Sequence, residues 1–211
     1  MVVKVSPPNL PNYNVIECSK VVASEGKSDL YVLEALAKSI GIEDIEFREL
    51  GGKSSLTTKL ESLRKSSGFD KVVSLLVVRD ADLDACSAWV SIRGALSSAG
   101  FPAPHRVCEF VNGAPKVAAL ILPPDSSQGE LEDWLLMSIA KQSVMTCVNQ
   151  FFNCLDSVSV AQPRQLAKAK ANVFIASKPE PHVSVGVAAQ KGYWHLEHEC
   201  FSEVKRLLRE M

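Results

Sequence analysis

Residues 72–84 read V-V-S-L-L-V-V-R-D-A-D-L-D. Val72 to Val78 is a near-continuous apolar and β-branched run, the composition of a central strand covered on both faces. Directly after it stand Asp80, Asp82 and Asp84, where an open α/β sheet places its chemistry, just past the carboxyl end of a strand.

Working outward, Val15 to Ala23 reads as a first strand. Ser28 to Ile40 follows as a helix with Leu30, Leu33, Leu36, Ala37 and Ile40 at helical spacing, Ser28 as its cap and Gly41 closing it. Ile45 to Leu50 is a second strand, and Leu56, Leu60 and Leu63 mark a second helix ending at Gly68. After the 72–78 strand, a third helix runs from Ala85 to Ser98, with Gly100 behind it. Phe101 to Ala114, holding Pro102, Pro104 and Gly113, reads as a loop, and Val117 to Leu122 as a fourth strand. P-P-D-S-S-Q-G ends that strand, and a helix from Glu130 carries Leu131, Trp134, Leu135 and Ile139. Pro163 is expected in the first turn of a helix reaching Ile175. A loop of Pro179, Pro181 and Gly186 then leads to a terminal helix, Glu199 to Arg209.

The alternation β-α-β-α-β-α with short connections predicts a mostly parallel sheet with right-handed crossovers. The expected fold class is α/β, Rossmann-like, with four or more strands flanked by helices. Residues 1–145 form the α/β domain, and residues 146–211 a mainly helical C-terminal extension packed on it.

With 211 residues, 46% of them hydrophobic, the chain can bury a core without staples. A formal charge of −1 excludes a broadly basic surface, so nucleic acid would meet a local patch or a metal. The six cysteines form no C-x-x-C pair, which points to neither a zinc knuckle nor a disulfide framework but to small buried thiols in a reducing compartment. Residues 1–14 lack an apolar stretch of signal-peptide length, and no apolar run reaches the ~18 residues of a membrane span. The expected location is cytoplasmic, with no membrane partner.

Three acidic clusters fall at strand ends. S-E-G-K-S-D, residues 24–29, supplies Glu25 and Asp29; residues 80–84 supply Asp80 and Asp82; G-E-L-E-D, residues 129–133, supplies Glu130 and Glu132. In an extended chain residues i and i+2 face one side, so Asp80 and Asp82 are expected to converge. Converging carboxylates repel unless a cation lies between them or some are protonated. Oxygen ligands without His or Cys favour Mg²⁺ or Mn²⁺ over zinc, and suit phosphoryl or phosphodiester chemistry. The helix dipole offers another account of Asp29, Asp84, Glu130, Glu132 and Asp133, since acids are favoured at helix N-termini whatever the function.

With Glu25 after the first strand and Asp80-Ala81-Asp82 after the third, the chain resembles the Toprim domain of topoisomerases, bacterial primases and the overcoming-lysogenization-defect nucleases. Asp29, four residues after Glu25, is similar to the nuclease branch. That resemblance implies a later acid, Glu132 or Glu130, and a downstream lysine, Lys168 or Lys170 in L-A-K-A-K-A. The stretches G-G-K-S-S-L, V-V-R-D-A-D-L-D, I-L-P-P-D-S-S-Q-G-E-L-E-D-W-L and A-A-Q-K-G-Y-W also resemble a family of small Toprim-related proteins. The nuclease branch carries an ATPase that this sequence lacks, so the resemblance implies that any such ATPase is a separate chain.

Neither G-K-S stretch is a Walker A motif: Phe47 and Val21 stand where the first glycine belongs. The Gly51-Gly52-Lys53 turn reads as a strand-to-helix turn or a phosphate-binding one. His195 and His198 lack a third ligand and read as solvated or capping residues. Trp89, Trp134 and Trp194 are expected in the core.

Two functions are consistent with these residues. One is metal-dependent phosphodiester hydrolysis of nucleic acid, with Glu25, Asp80 and Asp82 on Mg²⁺, Asp29 and Glu130 or Glu132 completing a second metal position, and Lys168 neutralising charge. The other is a non-catalytic module binding a phosphate-bearing ligand or a partner protein.

Overall fold

The computed structural model describes residues 15–51 and 56–211. The Pro- and Asn-rich lead and most of the Gly51-Gly52-Lys53 turn lie outside the described residues. Four strands, β1 (Lys20–Ser24), β2 (Ile45–Glu49), β3 (Ser74–Asp80) and β4 (Lys116–Leu122), form an all-parallel sheet in the order β2-β1-β3-β4. The helices are α1 (Lys27–Ser39), α2 (Leu56–Arg64), α3 (Ala85–Ser98), α4 (Leu131–Ile139), α5 (Val144–Ser157), α6 (Leu166–Ala176), α7 (Val185–Gln190) and α8 (Ser202–Glu210). The fold is α/β and Rossmann-like, with helices on both sides of the sheet.

Strand alternation divides the core into two halves. Val22, Leu76, Val78, Ala118, Leu120 and Leu122 pack with α1 and α4 to α8. Val21, Ala23, Leu75, Val77, Val117, Ala119 and Ile121 pack with α2 and α3. Both strand faces are thus covered, which is why the 72–78 run is apolar without alternation. The chain winds from β1 outward to β2, then returns past β1 to β3 and on to β4. The direction of winding reverses between β1 and β3, so a crevice opens at their carboxyl ends.

Several local expectations are corrected. β1 begins at Lys20 and not Val15, because the Glu46 carboxylate takes the Glu17 and Cys18 N–H groups at 2.8 and 3.1 Å, leaving only an isolated bridge from Val15 to Ser67. α1 starts at Lys27 after an extended Gly26, so Ser28 lies inside the helix. Pro163 precedes α6: Gln162 is tied to Phe152 O at 2.9 Å and Asp156 Oδ1 at 2.6 Å, holding the chain in a turn until Gln165. α5 lies almost wholly within the 146–211 stretch expected to be mainly helical and gives it definite bounds there, with Met145, Val148 and Phe152 buried at helical spacing. No cysteine is fully buried; all six are free, and Cys86, Cys147 and Cys154 are exposed. Trp134 and Trp194 are core residues, each donating its indole N–H to a carbonyl, of Cys200 and Val185, at 3.0 Å, whereas Trp89 is half-buried. His198 caps the short 3₁₀ turn Glu199–Phe201, its Nδ1 accepting from Cys200 N at 3.2 Å. No helix among the described residues is long and apolar enough to cross a membrane.

Gly186 lies in α7 and not in a loop. The reason is tertiary: a Cβ there would stand 2.8 Å from both Ser28 Cα and Ser28 O. Only glycine lets α7 cross the first turn of α1 this closely, which outweighs its poor helix propensity. Gly186→Ala is expected to destabilise the protein by about 1–3 kcal/mol, the usual cost of overpacking. Urea unfolding will show it as a lower midpoint at unchanged m-value.

Candidate functional site

The crevice between β1 and β3 gathers acids from four segments. Ser24 lies opposite Val78 in the parallel register, so Glu25 and Arg79 are next to each other just beyond it. Arg79 Nε stands 3.1 Å from Glu25 Oε1, and both side chains are almost buried, 11% and 15% exposed. Arg79 is not among the residues expected at the site. Its signal was there: a cation between an apolar strand and an acidic turn needs a nearby anion.

Asp80 continues the Leu76–Val78 alternation and so belongs to the face covered by α1 and α4. Burial pushes its carboxyl up to about 8, and the negative charges of Asp29, Glu132, Glu130 and Glu25, in that order, push the same way. Asp80 Oδ1 is buried and has no hydrogen-bond partner among the described residues.

Asp29 arrives from the first turn of α1 and is buried. Burial raises its carboxyl above the ordinary range, opposed by the Ser24 hydroxyl, which donates to Oδ2 at 2.5 Å. Glu132 arrives from the first turn of α4, also buried. Burial raises it too, opposed by backbone hydrogen bonding and by Lys168. Lys168, on α6, holds its ammonium 3.7 Å from Glu130 Oε2 and 4.0 Å from Glu132 Oε1. Gln165 Nε2 also reaches Glu130 Oε1, at 3.4 Å. Of the two lysines left open by the sequence, Lys168 is the one that meets the acids.

Asp82 follows different geometry from that expected. The strand ends at Asp80, and Asp82 has a positive φ of 52°, so the i, i+2 alternation of an extended chain stops before Asp82. Its backbone pairs instead with Gly129, N–H to carbonyl in both directions at 2.8 Å. This clasp brings the start of α4 to the end of β3, and Gly129, at φ 135°, takes a conformation other residues avoid.

The constellation has the chemistry of a cation site. Asp80 combines an unpartnered buried oxygen with surrounding like charges, a combination that a proton or a metal relieves. Among the described residues no three His, Cys, Asp or Glu side chains are already drawn into a ligating group. A magnesium-type site does not require one, since that ion keeps several waters and takes one or two carboxylates with phosphate oxygens. All of these donors are carboxylate oxygens, the type that Mg²⁺ and Mn²⁺ take.

Fold and site together define an open parallel α/β protein with an acidic crevice at its winding reversal. The chain belongs to the family described as "Protein of unknown function (DUF3226)", whose model matches residues 19–211. Among solved structures it is similar to the C-terminal region of the Xanthomonas campestris pv. campestris OLD protein, at 11% identity and a TM-score of 0.40, covering 93% of this chain and 88% of that one. Comparison with curated proteins returns no match.

Two outcomes follow. Because the folded protein holds the Asp80 proton more tightly than the unfolded chain does, this group's contribution to stability is complete below about pH 4 and is lost as pH rises to about 8. In cation-free buffer, Asp80→Asn should flatten that part of the decline in melting temperature, read by calorimetry across the same range. Arg79→Ala leaves Glu25 buried beside other carboxylates and should cost about 3–5 kcal/mol, measured by denaturant unfolding at neutral pH.

Proposed function

We propose that this protein is a Toprim-type, divalent-metal-dependent phosphodiesterase acting on nucleic acid. The observation that carries the reading is Asp80: a buried carboxylate oxygen without a partner, at the carboxyl end of the central strand β3, among the acids of α1 and α4. The E…D-x-D resemblance, with Glu25, Asp80 and Asp82 at the ends of adjacent strands, supports it.

In this reading Asp80 is the principal ligand, with Glu25 or Asp29 beside it, and Asp82, Glu130 and Glu132 supply oxygens toward a second cation. The chemistry that Mg²⁺ or Mn²⁺ supplies in such a site is polarisation of the phosphodiester and activation of water. Arg79 holds Glu25 in place from the opposite side of the sheet. Lys168, tethered by Glu130 and Glu132, places positive charge at the rim, where it would stabilise charge developing on the phosphoryl group. The Ser24 hydroxyl fixes the Asp29 carboxylate against α1. Activity in the cytoplasm with a separate ATPase chain belongs to the same proposal, in keeping with six free thiols.

A second reading, a non-catalytic phosphate-ligand or partner-binding module, draws support from the Arg79–Glu25 pair, which already engages one of the expected ligands.

Incubation of the purified protein, alone and with candidate ATPase chains, with single- and double-stranded DNA and RNA separates the two. The hydrolytic reading expects cleavage with Mg²⁺ or Mn²⁺, abolished by EDTA or Asp80→Ala, and lowered about 10²-fold by Lys168→Ala. Cleavage that persists at the original rate in EDTA or in Asp80→Ala would rule out this site as its source. Calorimetric Mg²⁺ binding lost in Asp80→Ala, without cleavage of any substrate, would favour the module.

A further inference from the structure

Beside the acidic crevice lies a cleft of about 1070 Å³, bounded by the loops after β3 and β4, α4, the start of α6, and the turn before α8. Two properties set it apart. First, it collects exposed apolar side chains: Leu83 is 90% exposed, Met137 51% and Leu166 38%, and all three line it. Second, its charge is unbalanced. Among the described residues, Asp82, Asp125, Glu130, Asp133, Glu199 and Glu203 line it against Arg164 and Lys168, and Glu203 is held by Arg206 at 2.7 and 3.1 Å. Lys168 is engaged by Glu130 and Glu132.

Leu83 does not owe its exposure to a loose loop. The residue before it is clasped to Gly129 by two backbone hydrogen bonds of 2.8 Å. The residue after it caps α3, Asp84 accepting from Cys86 N at 3.0 Å and Ser87 N at 3.2 Å. Ala85 N donates to Ser127 O at 2.8 Å. A leucine held out to solvent between two fixed neighbours loses little further backbone entropy when a partner covers it, which lowers the cost of binding there.

We propose that this cleft docks a basic amphipathic segment of a partner protein, its apolar face on Leu83, Met137 and Leu166 and its Lys or Arg residues against the surrounding carboxylates. Carboxylates in excess over cations steer a cationic segment toward the cleft. Exposed apolar side chains in a cleft rimmed by carboxylates suit a segment with one apolar and one basic face. The inference needs no metal and no hydrolysis; Asp82, Glu130 and Lys168 belong to both surfaces, but Leu83 and Asp125 belong to the cleft alone, so substitutions there test it separately from the function proposed above.

The test is fluorescence anisotropy with a labelled amphipathic Leu/Lys peptide, a scrambled peptide of the same composition, and a mixed-sequence single-stranded oligonucleotide. The patterned peptide is expected to bind, the scrambled one at least about tenfold more weakly. Leu83→Ser and Asp125→Lys are each expected to weaken the patterned peptide by about tenfold or more. Both are surface changes, and unchanged thermal melts will establish that the variants are folded. Equal binding of the two peptides, indifference to both substitutions, or binding of the oligonucleotide in preference to the peptide would overturn the proposal. So would a dimer seen by sedimentation that Leu83→Ser abolishes, which would assign the cleft to a second copy of this chain.

Discussion

The structure depends on the reversal of winding between β1 and β3. Because β1 is followed by a crossover to one side and β3 by a crossover to the other, α1 and α3 leave the sheet on opposite faces. Nothing from either connection covers the strand ends between them, so polar groups gather there. Asp80 lies on the central strand at that point, and its surroundings are unfavourable for a bare carboxylate: little water, and negative charge from α1 and α4. A fold stable enough to hold these like charges together retains a site that a proton or a cation completes.

The C-terminal helices complete this site as well as covering the sheet. The apolar core on the α1 side runs without a break from Val22 and Leu76 through Trp134 and Phe174 to Leu207 and Leu208. α7 crosses the first turn of α1 at Gly186, next to Asp29, while α6 delivers Lys168 and Gln165 to Glu130. Trp134, stacked edge-on against Phe201 with a centroid separation of 4.6 Å, fixes α4 to the turn before α8. The same turn forms one wall of the acidic cleft. The helices that stabilise the α1 side therefore shape both the crevice and the cleft beside it.

Arg79 and Asp80 illustrate how adjacent residues on a strand take separate roles. Alternation sends them to opposite faces: Arg79 to an almost buried ion pair with Glu25, Asp80 to the acids of α1 and α4. Glu25, expected from sequence to be a bare ligand, carries a cation beside it. Asp82, expected to stand with Asp80, lies beyond the strand, in a turn clasped to Gly129.

The sequence by itself determined the α/β class and a mostly parallel sheet of four or more strands, because an apolar run covered on two faces and helix-length connections leave few alternatives. It also placed Glu25, Asp29 and Asp80 at strand ends or the helix turn that follows, since a strand must stop where charges begin. Tertiary structure decided what those positions mean. Which acids crowd Asp80, that Lys168 rather than Lys170 reaches them, and that Gly186 sits in a helix all follow from contacts between segments distant in sequence. The pairing of the β3 and β4 loops, which sets the Asp82 backbone against Gly129 and leaves Leu83 exposed, is of the same kind. Local spacing carries period and polarity; the distances between separate segments are set only when the whole core packs.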